Sequence, residues 1–262
     1  MSALIIDDEI VHYEVLGRGR PLIFVHGWVG SWRYWIPTMQ AASISFRAYA
    51  LDLWGFGETS KAKSRYSLND YVTLLDHFLE EMGIAKIALV GHGLGAVVAL
   101  MYASKFPRFV DRLMIVGFPM NKSQLSARLQ SDPPTELEKW LLTGATIPEI
   151  ARLETAKTDN QAIINTINNL DTVDLHSLAA ELQHPCLLVH GQNDQAIFMP
   201  NGELMENLPD LSHMIVFEES GHYPMLTETN KFNRLLSDFL ALESGKSPSE
   251  LQLKEEWKRR VR

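Results

Sequence analysis

Three short segments of the sequence place polar or glycine residues directly after predicted buried strands. They are His26-Gly27-Trp28, the run Gly91-His92-Gly93-Leu94-Gly95, and a late pair in which Asp194 and His222 each follow a strand. In parallel α/β sheets the loops after the strands meet at one edge of the sheet, where ligands bind. A histidine and a carboxylate at such an edge can act as a general base and the acid that orients it.

The segments between these loops alternate short β-rich runs with amphipathic stretches. This alternation is typical of an α/β protein with a mostly parallel central sheet and helices on both faces. Most of the predicted strands are continuous apolar runs, as expected of strands that are covered on both faces. The predicted strands span residues 10–16, 22–25, 46–51, 87–90, 113–116, 187–189 and 214–217.

Two helices are indicated by their end signals and by apolar stripes. Ser67 followed by Asp70 predicts a capped helix start, and Gly83 marks the end of that helix. A second helix is expected to begin after a Thr227 cap and to close at Gly245. Its predicted buried stripe consists of Phe232, Leu235, Leu236, Phe239 and Leu240.

The stretch of residues 120–184 differs from the rest of the chain because it lacks convincing strands and contains several prolines. We expect it to form a helical lid inserted between two strands of the sheet. The predicted organisation is therefore a core of residues 1–119 and 185–245, a lid of residues 120–184, and a charged tail of residues 246–262. The predicted lid helices span residues 136–142, 147–157, 161–170 and 173–182.

Composition excludes several classes of function. The chain has 262 residues and a formal net charge of −8, whereas a nucleic-acid-binding protein usually carries a basic face. The single cysteine, Cys186, excludes an intrachain disulfide and a thiolate-rich metal site. The residues near the N-terminus are acidic and do not resemble a signal peptide. We therefore expect a cytoplasmic protein with no metal, no cofactor, no nucleic-acid partner and no membrane association, and the oligomeric state stays open.

In these loops the chain resembles the α/β-hydrolase fold family, from about residue 10 to residue 242. The run Gly91-His92-Gly93-Leu94-Gly95 is similar to the G-x-S-x-G turn that joins a strand to a helix in that family. The segment Asp52-Leu53-Trp54-Gly55-Phe56-Gly57 is similar to a turn that the family often carries after its third core strand. The resemblance implies the family's sheet with a helical lid, and a ligand that is a small, mostly apolar carbonyl or ester-like molecule.

The resemblance also implies roles for individual residues. His222 corresponds to the family's base and Asp194 to the acid that orients it. The backbone N–H groups of Trp28 and Leu94 correspond to the donors that hold an oxyanion. The order along the chain is nucleophile position, then acid, then histidine, as in the family.

The chain departs from the family at Gly93, which stands where the family has its nucleophilic serine. Glycine has no side chain, so no covalent intermediate can form there, and we expect little or no serine-type hydrolysis. Neither His92, expected to point into the packing between strand and helix, nor Cys186, at the opposite end of its strand, replaces the serine. Haloalkane dehalogenases and epoxide hydrolases need an aspartate at this position, so both classes are excluded. A deliberate replacement of serine would leave the same sequence as a natural glycine.

Three functions stay open on these residues. The first is an esterase-like protein that has lost, or never had, its nucleophile. The second is an enzyme in which His222 and Asp194 act as a non-covalent general base, in hydrolysis, hydration, lyase or cofactor-free oxygenase chemistry. The third is a small-molecule binding protein without turnover.

The aromatic residues near the predicted site have two alternative roles. Trp32, Trp35 and Trp54 are expected either to line an apolar pocket under the lid or to be core aromatics. His26 is expected to shape its loop by hydrogen bonding, and Asp52 is expected to be a turn and packing residue. A saturable quench of tryptophan fluorescence by an apolar ester would indicate the pocket role.

Overall fold

The central feature of the computed structural model, which describes residues 2–142, 155–200, 208–243 and 245–251, is a sheet of eight strands. The strands are β1 Ser2–Ile6, β2 Glu9–Leu16, β3 Arg20–Val25, β4 Phe46–Leu51, β5 Ile87–His92, β6 Val110–Val116, β7 Cys186–Gly191 and β8 Ser212–Phe217. Their order across the sheet is β1-β2-β4-β3-β5-β6-β7-β8. Strands β3 to β8 pair in parallel, and β2 is antiparallel to both β1 and β4. The predicted mostly parallel sheet is confirmed.

Helices cover both faces of this sheet. They are α1 Ile36–Ala42, α2 Leu68–Glu81, α3 Leu94–Lys105, α4 Arg128–Ser131, α5 Pro134–Leu141, α6 Asn160–Asn169, α7 Leu175–Ala180, α8 Pro224–Thr227 and α9 Thr229–Ala241. Helices α2 and α3 bury their apolar side chains in one core, and α1 and α9 bury theirs in a second core across the sheet. Burial on both sides explains why strands such as β5 carry no polar face.

One of the two predicted helix starts has the expected cap and the other does not. The Ser67 side chain accepts the Asp70 amide, and the Asp70 side chain accepts the Ser67 amide, so α2 begins with a complete capping box. Thr227 is not a cap, because it is the last residue of the short helix α8, and α9 begins only at Thr229. The Thr227 hydroxyl hydrogen-bonds within its own segment, to the carbonyl of Tyr223.

The described part of the segment between β6 and β7 is helical, as expected, and contains α4 to α7. Helix α6 is tied to the core at its start, where the Asp159 amide donates to the Gly55 carbonyl at 2.8 Å and the Tyr66 hydroxyl donates to Asp159 Oδ2 at 3.1 Å. Most of the predicted helix 147–157 lies outside the described residues, as does the tail from residue 252. That this segment covers the site as a lid therefore stays a prediction.

None of the helices among the described residues has the length and apolar character needed to cross a membrane.

The start of α3 packs directly on the end of β3, because the Gly95 amide donates to the His26 carbonyl at 3.0 Å. A Cβ atom on Gly95 would lie 2.2 Å from the carbonyl oxygen of Val25, which is far closer than any real contact. This backbone-to-backbone packing sets the separation between the loop after β3 and the turn after β5.

We expect Gly95→Ala to lower the free energy of unfolding by about 3 kcal/mol, because two backbone segments must move apart. Gly83→Ala is the matched control: Gly83 has a φ of +64° and no atom within 4 Å of the added Cβ, so it should cost only about 1 kcal/mol. Urea unfolding followed by circular dichroism measures both. Equal losses in the two variants would show that the contact with β3 is not the constraint.

Candidate active site

The Gly93 turn, residues 91–95, changes direction from β5 to α3 at a residue with φ 52° and ψ −112°. The Gly93 amide donates to the carbonyl of Val116 at 2.9 Å, which anchors the turn to the next strand. Glycine adopts this backbone conformation without the steric cost that an L-residue bears. A Cβ atom at Gly93 would lie 3.4 Å from Cε3 of Trp28 and 3.5 Å from Cα of Gly27. These are ordinary contact distances, so a small side chain fits the space and only the backbone conformation opposes it.

Asp194, three residues beyond β7, and His222, in the loop after β8, form a buried pair. His222 Nδ1 lies 3.0 Å from Asp194 Oδ2 and 3.1 Å from Oδ1. Asp194 Oδ1 also accepts the amides of Ala196 at 2.8 Å and Ile197 at 3.0 Å. The carboxylate is thus held by its own loop and aimed at one nitrogen of the histidine, as the positions of both residues after strands predicted.

The charge state of the pair follows from its surroundings. Burial acts to raise the pKa of Asp194, but the attraction of His222 in its protonated form, the hydrogen bond from its ring and the amide of Ile197 outweigh it, so the pKa lies below its usual value. A carboxylate can only accept, so His222 Nδ1 carries the hydrogen that is shared with it. In the neutral ring Nε2 then carries a lone pair. Among the described residues this buried nitrogen has no hydrogen-bond partner.

Two backbone amides next to the Gly93 turn are suited to bind a negatively charged oxygen. The N–H groups of Trp28 and Leu94 make no hydrogen bond to any described residue, although both residues are fully buried. Leu94 is the first residue of α3, where the helix dipole adds a partial positive charge. The resemblance predicted these two amides as oxyanion donors, and both follow strands that adjoin in the sheet.

The side chain of Trp28 joins the Gly93 turn to the inserted helical segment. Its indole Nε1 donates to Thr166 Oγ1 on α6 at 2.8 Å. The Thr166 hydroxyl in turn lies 2.7 Å from the carbonyl of Ala162 and 3.0 Å from that of Ile163. Helix α6 therefore fixes the orientation of the ring that lies against Gly93.

Sequence reasoning missed the position of His92. Its buried ring does not serve strand-to-helix packing, as was expected, but lies beside His222 with ring centroids 4.5 Å apart. His92 Nε2 is 2.9 Å from the His222 carbonyl oxygen, and Nδ1 is 3.1 Å from the Tyr34 hydroxyl. A second contact joins the same loops, because the Tyr223 hydroxyl donates to the Val29 carbonyl at 2.5 Å.

The three tryptophans expected either to line a pocket or to be core aromatics pack against neighbouring side chains. Trp35 has no accessible surface and lies against Phe24 and Phe232, and Trp54 is 1% exposed with the Arg65 guanidinium over its ring. Trp32 packs against the His12 ring of β2, and the guanidinium of its chain neighbour Arg33 lies over its own ring. Of the two roles expected for these tryptophans, pocket lining and core packing, the structure supports core packing.

The remaining candidate residues support the loops. His26 Nε2 accepts the Leu53 amide at 3.0 Å, and buried Asp52 accepts the amides of Trp32 at 2.8 Å and Glu58 at 3.1 Å. Both therefore shape turns, as expected. Cys186 is buried at the start of β7, and burial raises the pKa of its thiol. Within the described ranges, no three histidine, cysteine or acidic residues come together as a metal site would require.

Comparison with known proteins places this arrangement in a family. The family model described as "alpha/beta hydrolase fold" matches residues 20–152, a little over half of the chain. The chain is 25% identical over 252 residues to a 2-hydroxy-6-oxo-2,4-heptadienoate hydrolase of Pseudomonas putida, covering 87% of this chain and 91% of that protein. It is 23% identical over 254 residues to a pimeloyl-[acyl-carrier protein] methyl ester esterase of Aliivibrio fischeri, covering 88% and 97%.

A solved structure shares the fold over most of the chain. It is a serine-to-glycine mutant of the N-acyl homoserine lactonase AidH in complex with N-hexanoyl homoserine lactone. The two chains superpose with a TM-score of 0.78 at 20% identity, over 91% of this chain and 96% of the other.

We expect Thr166→Val to lower the free energy of unfolding by about 1–3 kcal/mol, because it leaves the Trp28 indole N–H buried without an acceptor. Thr166→Ser keeps the hydroxyl and removes one methyl group, so its cost should stay near 0.8 kcal/mol, roughly that of one buried CH₂. Chemical denaturation measures both variants. A valine variant as stable as the serine variant would show that the hydrogen bond to Trp28 contributes nothing.

Proposed function

This chain belongs to the α/β hydrolase fold family, and from that premise we propose that it binds a small, mostly apolar carbonyl or ester-like compound beside Gly93 without forming a covalent intermediate. The relatives that resemble it over most of their length are named as small-molecule hydrolases. The reacting group of such a compound is a carbonyl. Gly93 offers no atom to attack that carbonyl, so serine-type hydrolysis is absent in this proposal.

One observation carries the proposal: His222 keeps its Asp194 partner while its other ring nitrogen is buried without a partner among the described residues. A buried polar atom without a partner is costly, and its presence in a folded protein calls for an explanation. The unused amides of Trp28 and Leu94 lie on the two loops that meet at Gly93. Together they provide an acceptor and two donors suited to a carbonyl and a polarised hydroxyl.

The proposed ligand class rests on the surroundings of these groups. The Trp28 ring would contact a Cβ atom at Gly93, and Leu94 is the next residue of the chain, so apolar side chains flank the turn. The AidH mutant shows this fold holding an acyl lactone in a chain where a glycine has replaced a serine. The bond between α6 and Trp28 supports a lid role for the inserted segment.

A second candidate function is favoured by the space at Gly93, where a Cβ atom would meet nothing closer than 3.4 Å. In this candidate a water molecule takes the place of the serine hydroxyl. His222 Nε2 removes a proton from the water as its oxygen bonds to the carbonyl carbon, and the amides of Trp28 and Leu94 hold the resulting oxyanion. The imidazolium then returns the proton to the leaving group as its bond to carbon breaks.

We expect Gly93→Ser to raise hydrolysis of p-nitrophenyl acetate by about 10³-fold or more, because loss of the serine alone from a comparable triad costs about 10⁶. Folding should suffer by only about 1 kcal/mol, the cost of a non-glycine residue at positive φ. Gly93→Ala is the matched control, since it adds the Cβ atom without the hydroxyl. The measurement is the initial rate of p-nitrophenolate release by native protein and both variants.

The double variant Gly93→Ser/His222→Ala should fall back to the native rate, because the hydroxyl then lacks its base. A folded Gly93→Ser protein that stays at background, or one that is equally active without His222, would refute Gly93 as a vacated nucleophile position.

The water route makes a different prediction for the native chain. Any esterase activity of the native protein should be abolished by His222→Ala and lowered by Gly93→Ala, because the methyl group occupies the space of the attacking water. Rates should fall by about 10²–10⁴-fold without the base. A native activity that survives His222→Ala arises elsewhere and would exclude this route.

A further inference from the structure

A continuous series of hydrogen bonds crosses the Gly93 turn from one side to the other. The Gly27 amide donates to the Tyr34 hydroxyl, the Tyr34 hydroxyl lies 3.1 Å from His92 Nδ1, and His92 Nε2 lies 2.9 Å from the His222 carbonyl oxygen. The first of these residues belongs to the Trp28 loop, residues 26–30. The last belongs to the His222 loop, residues 220–223. His92 itself immediately precedes Gly93.

The hydrogen positions in this series are determined by its two ends. A carbonyl oxygen only accepts, so His92 Nε2 carries a hydrogen and donates to His222. In the neutral ring Nδ1 is then an acceptor and takes the hydrogen of the Tyr34 hydroxyl. The Tyr34 oxygen accepts the Gly27 amide. Burial holds the pKa of His92 well below its ordinary value, which keeps the ring neutral and this direction intact.

We propose that His92 and Tyr34 are positioning residues that hold the Trp28 amide and the His222 ring in register across the Gly93 turn. The inference rests on the proposed function, because it concerns the same carbonyl site. The two groups come from loops on opposite sides of the turn, and each is set by its own backbone. The series reaches the backbone of one loop at Gly27, which is adjacent to Trp28 and its amide. It reaches the backbone of the other loop at the carbonyl of His222 itself.

Packing alone does not account for this arrangement. The rings of Tyr34, His92, His222 and Tyr223 form a cluster with centroid distances from 4.5 to 5.6 Å. Ring contacts resist separation but leave sliding and rotation open, whereas hydrogen bonds to backbone atoms fix direction. The Tyr223 bond to Val29 joins the same two loops in parallel, so the loss of Tyr34's hydroxyl should shift the loops rather than detach them.

The test removes one oxygen and keeps the ring. Tyr34→Phe breaks the series at its middle, and Tyr102→Phe is the matched control, because the Tyr102 hydroxyl bonds Asp76 between α2 and α3. The first readout is the His222 Cε1–H cross-peak in the NMR spectrum at fixed pH, assigned by its loss in His222→Ala. We expect the peak to move in Tyr34→Phe and to stay in Tyr102→Phe, in the native Gly93 background.

His92 is tested by a pair of variants that lose the ring equally. Glutamine keeps one donor and one acceptor on a single planar group, whereas leucine has neither. We expect His92→Gln to retain the His222 peak nearer to its native position than His92→Leu does. Comparing these two variants with each other cancels the change in ring-current shift, because both lack the imidazole.

The second readout is catalysis in the Gly93→Ser background with p-nitrophenyl acetate. We expect Tyr34→Phe to lower kcat by about 10–100-fold, the loss that misplacement of catalytic groups produces, with KM unchanged. His92→Gln should recover part of the kcat that His92→Leu loses. Tyr102→Phe should leave both parameters at the parent value.

The two readouts separate this inference from the proposed function. If Gly93→Ser is inactive but the His222 peak responds as described, the proposed function fails and the positioning role stands. If the variants only lower the melting temperature, and neither the peak nor kcat changes relative to Tyr102→Phe, His92 and Tyr34 are packing residues and the inference is overturned.

Discussion

The contact between the first turn of α3 and the end of β3 is the constraint on which the site depends. The amide of Gly95 reaches the His26 carbonyl at 3.0 Å only because no Cβ atom stands between the two backbones. This approach brings the Trp28 ring to a position where it would contact a Cβ atom at Gly93. A larger residue at position 95 would force the end of β3 and the start of α3 apart.

The meeting of Asp194 and His222 follows from topology and was predictable from the sequence. Both come after apolar strands, and parallel strands β7 and β8 deliver their carboxyl ends to the same edge. The same reasoning placed Trp28 and Gly93 beside each other, after β3 and β5. The residue types indicated which chemistry is possible, and the strand order indicated which residues lie close together. That Gly93 occupies the nucleophile position of the family stays a prediction, which rests on the resemblance of the turn.

Other features were not predictable because the sequence carries no signal for them. Every residue of β5 is buried, so no alternation of polar and apolar residues indicates the side on which His92 lies. Its partner is a backbone carbonyl 130 residues away, and a carbonyl is present at every position of the chain. The two roles of Trp35 could not be separated in the sequence, because a large aromatic residue serves a core or a pocket equally well, and the packing of α9 on that face favours the core. Threonine is a residue type that often caps helices, but Thr227 is the last residue of the short helix α8.

The hydrogen bond between Tyr223 and Val29 has a consequence for the order in which the chain is made. The two residues are 194 positions apart. At about 5–20 residues per second, a ribosome needs roughly 10–40 s to add that length, so the loop after β3 exists for that time without its partner. Local elements such as α2 can form during the interval, whereas the loops around Gly93 can assume their final arrangement only after β8 has been synthesised. The chemistry of this edge is therefore among the last properties that the nascent chain acquires.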